Sequence, residues 1–109
     1  MNPKPGEVWL ADLGLAAKTR PIVIVSRYDL NPPRDLVIYV PLTTQNRSSR
    51  YEVELPRLSF LKQLSFANVQ GLGSIPRVRL DRKLGQLPLE SVQCIQEAIL
   101  FALDLDCDV

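Results

Sequence analysis

Two short segments of this 109-residue chain carry side chains suited to holding a phosphate. Lys18-Thr19-Arg20-Pro21 opens one apolar run, and Pro41-Leu42-Thr43-Thr44-Gln45 closes the next. A guanidinium is planar, permanently charged and fork-shaped, so it can meet two phosphate oxygens at once. A threonine hydroxyl can donate to a phosphoryl oxygen on which charge develops. Pro21 biases Arg20 towards an extended backbone and so sets the direction in which its side chain leaves the strand. The chain has no histidine, which leaves acid–base chemistry to Arg, Thr, Ser, Tyr, Lys or a carboxylate. Gln45, Asn46, Arg47 and Arg50 follow the threonines and add amide and guanidinium donors.

Taken singly, each of these residues has a plain structural reading. Arg20 is readable as a strand-end cation in water, Thr43 and Thr44 as β-branched strand formers, and the rest as ordinary loop composition. Taken together they propose a phosphodiester site in which Arg20 neutralises the phosphate and Thr43 holds a non-bridging oxygen. With no recognisable metal-ligand set, the natural nucleophile is the substrate's own 2′-hydroxyl. That chemistry points to RNA, with a 2′,3′-cyclic phosphate and a 5′-hydroxyl as products. An arginine is a poor general base, so the expected role of Arg20 is electrostatic, or acidic towards the leaving oxygen.

Other segments are weaker candidates. Trp9, Tyr39 and Tyr51 have rings that could stack on bases, although Trp9 and Tyr39 also fit a core. Arg77, Arg79, Arg82 and Lys83 form a second basic cluster, readable as a phosphate track or as a solvated face. Gln70-Gly71-Leu72-Gly73-Ser74 lacks the GxxxxGK spacing of a phosphate-cradling loop. The two cysteines, Cys94 and Cys107, form no CxxC motif, so zinc is not expected and both read as reduced thiols, Cys94 at a buried helix position. No cofactor is implied.

The elements that must position these residues follow from the hydrophobic pattern. Glu7–Leu13 reads as a first strand, followed by a loop over residues 14–19. Pro21–Ser26 is an unbroken β-branched run, the pattern of a strand buried on both faces. Residues 28–34, with Asp29, Asn31, Pro32 and Pro33, read as a loop. Leu36–Leu42 reads as a third strand, with Pro41 suggesting a position at or near an edge. After a polar loop at 45–50, Tyr51–Leu55 alternates as a half-exposed strand. Ser65–Gln70 reads as another strand, with Gly71 and Gly73 marking a bulge or a close backbone approach. Ile75–Leu80 is open between a strand and a helical turn. From Pro88 to about Leu103, Val92, Ile95, Ile99 and Ala102 recur at helical spacing. Pro88 suits the first helical turn, and Glu90 complements the helix dipole. The expected fold is mainly β (α+β): a strongly curved, mostly antiparallel sheet of five or six strands with a C-terminal helix.

Length and composition bound the rest. The chain fits one domain with one core, over residues 1–109. Its 46% hydrophobic and 23% charged content is that of an ordered globular protein. No apolar run approaches the ~20 residues that span a bilayer, and the N-terminus has no apolar signal-like segment, so a cytoplasmic location is expected. All 13 basic residues and 7 acidic ones lie in residues 1–83, a balance of +6, whereas residues 84–109 hold 5 acidic residues and no basic one. A basic body with an acidic tail suits an anionic ligand on the body, and equally a solvated surface segregated by chance.

The chain resembles the MazF/PemK family of toxin endoribonucleases from Pro5 to about Leu105. Gly6–Leu13, Arg20–Ser26 and, most specifically, Val40-Pro41-Leu42-Thr43-Thr44-Gln45 carry the likeness. Glu52–Leu55, Arg79-Leu80 and Leu84-Gly85-Gln86-Leu87 add to it. The resemblance implies a compact, SH3-like barrel sheet with a C-terminal helix, a homodimer, and metal-independent, sequence-specific cleavage of single-stranded RNA such as mRNA. It also implies neutralisation by a small cognate antitoxin that blocks the RNA groove. The family's catalytic Arg and Thr fall on Arg20 and Thr43. Lys18, Thr19, Thr44, Gln45, Arg47 and Arg50 are the accompanying RNA-contact candidates. Two departures are visible: the loop before Arg20 is short and lacks the usual glycine, and Gly71-Leu72-Gly73 lacks a polar residue common there. The alternative is a non-catalytic module of the same fold that acts through a protein partner, as a gyrase-poison-like binder or a degenerate toxin.

Overall fold

A computed structural model describes residues 2–14 and 18–105. It contains β1 (Glu7–Asp12), β2 (Thr19–Ile24), β3 (Leu36–Thr43), β4 (Glu52–Glu54), β5 (Phe66–Asn68), β6 (Gly73–Pro76), β7 (Leu80–Gln86) and α1 (Leu89–Ala102). One-turn 3₁₀ segments at Val69–Gly71 and Arg77–Arg79 flank β6. The seven strands form one antiparallel sheet ordered β4-β5-β3-β2-β1-β7, with β6 joined to β3 off this path. The path is open, ending at β4 and β7.

Seven strands replace the five or six expected from sequence. The additional one is β7, whose Asp81, Arg82 and Lys83 hide the strand pattern. An edge strand tolerates such charges because one side faces water, and lysine there discourages pairing with other chains. The ambiguous stretch 75–80 resolves into the end of β6, a 3₁₀ turn and the first residue of β7.

β2 is buried on both faces, as its run of β-branched residues requires: Ile22, Val23 and Ile24 are all fully enclosed. Alternation along the strands divides the interior in two. Val8, Val23 and Val40 face α1, joined by Leu55, Ala67, Leu87, Ile95 and Ala98. Trp9, Ala11, Ile22, Ile24 and Val37 face the other way, closed over by Ile75 of β6 and Leu80 of β7. The sheet's curvature thus covers its own second face.

Pro41 is not at a sheet edge. β3 is flanked by β2 on one side and by β6 then β5 on the other. The β6 ladder ends at the Tyr39–Gly73 pair, and the β5 ladder begins at Leu42–Ala67. The Val25 N–H donates to the Ile38 carbonyl, so alternation turns the nitrogen of position 41 away from β2, towards the gap between β6 and β5. The proline's missing donor falls where no ladder bond is available. Gly71 allows the chain to pass this point closely: a Cβ there would sit 2.7 Å from Pro41 Cγ. Gly73 is held similarly close to the Tyr39 ring.

α1 forms where expected, but Ser91, Ile95 and Ala98 are its fully buried residues, Val92, Ile99 and Ala102 are only partly buried beside them, and Pro88 is the N-cap rather than part of the first turn. Cys94 is exposed rather than buried, since it lies about 100° around the helix from Ile95. Cys107 and the acidic positions Asp106 and Asp108 lie outside the described residues, as does the middle of the loop before Arg20 (residues 15–17). No described helix is long and apolar enough to cross a membrane.

Candidate active site

β2 and β3 pair through Ile24–Tyr39, Val23–Val40 and Ile22–Pro41, and no further. Continued for two more residues, the same register would set Arg20 opposite Thr43. Instead the strands part here: β2 keeps its ladder with β1 through Arg20–Ala11 and Thr19–Asp12, while β3 turns to β5 through Thr43–Phe66. The space left between them is a groove of about 270 Å³ lined by Arg20, Pro21, Leu42, Thr43, Thr44, Gln45 and Ser65. By parity Arg20 and Thr43 lie on the face of Ile22 and Tyr39, away from α1.

The two residues are held differently. Arg20 is exposed, and among the described residues its guanidinium has no carboxylate or hydrogen-bond partner. Its donors are therefore all available to a ligand. Thr43 is half-buried, and its Oγ1 accepts from the Gln45 backbone N–H at 3.1 Å. This bond fixes the oxygen and leaves the hydroxyl proton to be donated elsewhere. Of the two adjacent threonines, Thr43 is the enclosed one and Thr44 the exposed one, the inward–outward pair that a strand end dictates.

The groove continues at both ends. Past Thr43 and Gln45 it enters a polar depression of about 220 Å³ bordered by Arg47, Ser49, Glu52, Asn68 and Gln70. Past Pro21, Thr44 and Ser65 it enters one of about 460 Å³ with Leu10, Phe60, Leu61 and Leu84 below and Lys62, Gln63 and Arg82 at its rim. Thr44, Gln45 and Arg47 thus line the same channel as Arg20 and Thr43. Lys18 and Thr19 are exposed at the start of β2 and are not part of its lining. Arg50 is drawn off to the helix, its guanidinium 3.8 Å from the Phe101 ring centroid. Tyr51 packs on the same ring at 5.2 Å and is not free to stack on a base. Trp9 is buried and Tyr39 half-buried.

The second basic cluster is not a single track. Arg77 pairs with Asp35, Arg79 with Asp12 and Lys83 with Glu7. Among the described residues only Arg82 of this cluster is left without an ion pair, and it borders the groove. Sequence reasoning missed Ser65, Lys62, Gln63, Asn68 and Gln70. They reach the groove from segments remote in sequence, and nothing local to them signals that convergence.

One ionisable side chain is enclosed near the base of β1. Glu7 Oε1 accepts from the Lys4 backbone N–H and the Trp9 indole N–H, each at 3.0 Å, and Oε2 lies 3.0 Å from Lys83 Nζ. Burial alone would raise its pKa, but these donors outweigh burial and hold it below the ordinary glutamate value. The network ties the N-terminal segment, β1 and β7 together, and so steadies the strand against which Arg20 pairs.

Residues 4–103 match the family described as "PemK-like, MazF-like toxin of type II toxin-antitoxin system". The chain is similar to "Endoribonuclease MazF3" of Mycobacterium tuberculosis (strain CDC 1551 / Oshkosh), 33% identical over 89 residues that cover 82% of this chain and 86% of the relative. Among solved structures, an "Endoribonuclease in complex with its cognate antitoxin from Mycobacterial species" superposes with a TM-score of 0.83 at 27% identity, covering 95% of this chain and 97% of the other. The "Mycobacterium tuberculosis toxin MazF-mt6" superposes with a TM-score of 0.80 at 31% identity, covering 92% and 98%.

Proposed function

The chain belongs to the PemK-like, MazF-like toxin family of type II toxin–antitoxin systems, and from that premise we propose that it is an endoribonuclease toxin whose reaction centre is the Arg20–Thr43 groove. The substrate is single-stranded RNA, such as mRNA. Its 2′-hydroxyl oxygen attacks the adjacent phosphorus, the bond from phosphorus to the 5′-oxygen breaks, and a 2′,3′-cyclic phosphate is left. The proton lost from the 2′-oxygen passes to solvent, and the departing 5′-oxygen takes one up to become a hydroxyl.

In this reading Arg20 offsets the extra negative charge of the pentavalent phosphorus, and the Thr43 hydroxyl donates to a non-bridging oxygen. Both are electrostatic roles that act more strongly on the transition state than on the ground state. No metal is required for either, and no cluster of His, Cys, Asp or Glu side chains suited to a metal lies among the described residues. The observation that carries the reading is the parting of β2 and β3 beyond Ile22–Pro41: a guanidinium with no partner among the described residues and an anchored hydroxyl line one groove that the flanking ladders keep open. Thr44, Gln45 and Arg47 serve as RNA contacts beside them.

The wider reading is a single toxin domain over residues 1–109, acting in the cytoplasm as a homodimer and silenced by a cognate antitoxin that occupies the groove. The exposed apolar side chains Leu30, Leu36 and Ile38 give a second copy a surface to bury.

The test is incubation of the purified protein with a long single-stranded RNA in EDTA, wild type beside Arg20→Ala and Thr43→Ala. Discrete cuts with 5′-hydroxyl ends, lost in both variants, are expected. A folded wild type that leaves RNA intact would refute the nuclease and favour a binder acting through a protein partner.

A further inference from the structure

The groove has two chemically unlike arms on either side of the reaction centre, and the difference assigns them different work. On one side lie side chains with hydrogen-bonding edges fixed from within. Asn68 Oδ1 accepts from the Gln70 backbone N–H at 3.1 Å, Gln45 Oε1 accepts from Arg47 Nη2 at 3.2 Å, and Glu52 Oε1 accepts from the Arg47 backbone N–H at 3.0 Å. One internal bond holds the Asn68 and Gln45 amides and two hold Glu52, while the Asn68 and Gln45 amide nitrogens and the exposed Gln70 side-chain amide have no internal partner among the described residues. Amide groups held in one direction are what distinguishes one base edge from another.

The other arm is larger and apolar below, with Phe60, Leu61 and Leu84 as its base. The Phe60 ring lies so close over Gly85 that a Cβ there would approach it to 2.4 Å. At the rim are Lys62 and Arg82, neither of which has an ion-pair partner among the described residues. An apolar surface accepts the flat face of any base, and a phosphate contact positions a strand without reading it.

We propose that the two arms divide recognition: Asn68, Gln70 and Gln45 choose the bases on one side of the scissile phosphate, while Phe60, Lys62 and Arg82 hold the nucleotide on the other side without choosing it. This rests on the nuclease reading, and it assigns specificity determinants within the same groove. Four chain segments supply it: the end of β3, the end of β5 with its 3₁₀ turn, the 60–63 loop and β7.

The experiment is cleavage of a randomised RNA pool followed by sequencing of the new ends, for wild type and four variants. Lys62→Ala and Arg82→Ala are expected to lower cleavage at all sites alike, keep the motif, and flatten the salt dependence by roughly 0.7 in log–log slope each. Gln70→Ala is expected to relax preference by roughly 10-fold or more at a position on one flank of the cut. Asn68→Asp retains the oxygen that caps Gln70 and exchanges a donor for an acceptor, so it is expected to change the preferred base rather than abolish preference. A motif altered by Lys62→Ala or Arg82→Ala, or one untouched by both Gln70→Ala and Asn68→Asp, would overturn the division. The same five proteins are also presented with a 2′-fluoro pool, which lacks the nucleophile. If wild type cuts nothing, the nuclease reading fails. The bound 2′-fluoro sequences then decide the arms on their own: a wild-type motif lost in Gln70→Ala supports them, and no enrichment rejects them.

Discussion

Thr43→Val separates chemistry from structure at this site better than any other single change. Valine has nearly the shape of threonine and the same β-branched preference for a strand, so the Thr43–Phe66 pairing survives. Two things are lost: the hydroxyl proton offered to the groove, and the acceptor for the Gln45 N–H. The second loss is small. That hydrogen bond is exposed, so water replaces the acceptor, and the expected cost is at the low end of the ~0.5–1.5 kcal/mol of an ordinary hydrogen bond. For a domain of about 100 residues this lowers Tm by roughly 2 °C. The first loss is larger. Removing one donor to a developing oxyanion costs about 2.7–4 kcal/mol. The groove is open to water, which favours the lower figure, or roughly 10²-fold in kcat. Thr43→Ser keeps both the donor and the acceptor and should stay within about tenfold of wild type. Single-turnover cleavage of a short RNA containing a mapped site, measured beside thermal melting, tests this. Thr43→Val cleaving within about threefold of wild type while melting normally would show that the hydroxyl does not act on the transition state.

Further expectations concern the residues around it. Arg20→Lys retains the charge but not the planar fork, so single-turnover cleavage should fall by roughly 10- to 100-fold, less than for Arg20→Ala; equal loss in the two would mean that the fork geometry is the whole contribution. Glu7→Gln retains an oxygen for the Lys4 and Trp9 N–H groups and loses the charge facing the half-exposed Lys83. Discounted for that exposure, the cost at neutral pH is about 1–2 kcal/mol, read as a lower Tm. Because the folded Glu7 pKa is depressed, its stabilisation is present above the unfolded value of about 4.3 and is lost as pH falls through the folded value. The gap between wild type and Glu7→Gln should therefore close below about pH 4 and stay constant above about pH 5.5; a gap that widens in acid would contradict the assignment. Gly71→Ala sets a methyl 2.7 Å from Pro41 Cγ, two residues before Thr43. It should cost about 1–3 kcal/mol in urea melts and lower kcat as well as stability; full activity with normal stability would mean that the β3 backbone yields there freely.

What the sequence made legible was local. The β-branched run of β2 and the 3.6-residue period of α1 are strong signals because burial on both faces, or along one stripe, requires them. The Arg20-Pro21 and Thr43-Thr44-Gln45 segments stood out only in combination, since each residue alone also reads as an ordinary strand end or loop residue, and the structure brings Arg20, Thr43, Thr44 and Gln45 into one groove lining. β7 was not legible: an edge strand with three consecutive charged residues reads like a solvated loop until its partner β1 is known. Pro41 misled for a related reason, since proline excludes a residue only from ladder positions that need its N–H, and β3 has one interior position that does not. Cys94 misled because a cysteine scores as a small apolar residue whichever side of a helix it occupies. Lys62, Ser65, Asn68 and Gln70 were invisible as groove residues because convergence of remote segments is a property of the topology.

The position of the site follows from that topology. β3 has eight residues and serves three neighbours, so it must exchange β6 for β5 along its length. The exchange bends it away from β2, and the β2–β3 ladder stops at Ile22–Pro41 although both strands run on. Beyond that point Arg20 is held by β1, and Thr43 by β5. Ala11 and Phe66, their ladder partners, are both buried. The distance across the groove is therefore set by the two outer ladders and not by any bond between the two side chains. Had the ladder continued, Arg20 and Thr43 would be cross-strand neighbours in a closed sheet with no room for a phosphate. An opening maintained from outside needs little rearrangement when a ligand enters, so the interaction of guanidinium and hydroxyl with a bridging phosphate is not spent on prying strands apart. The early end of one ladder makes a sheet that is otherwise a scaffold into a place where a phosphodiester can be held from two sides.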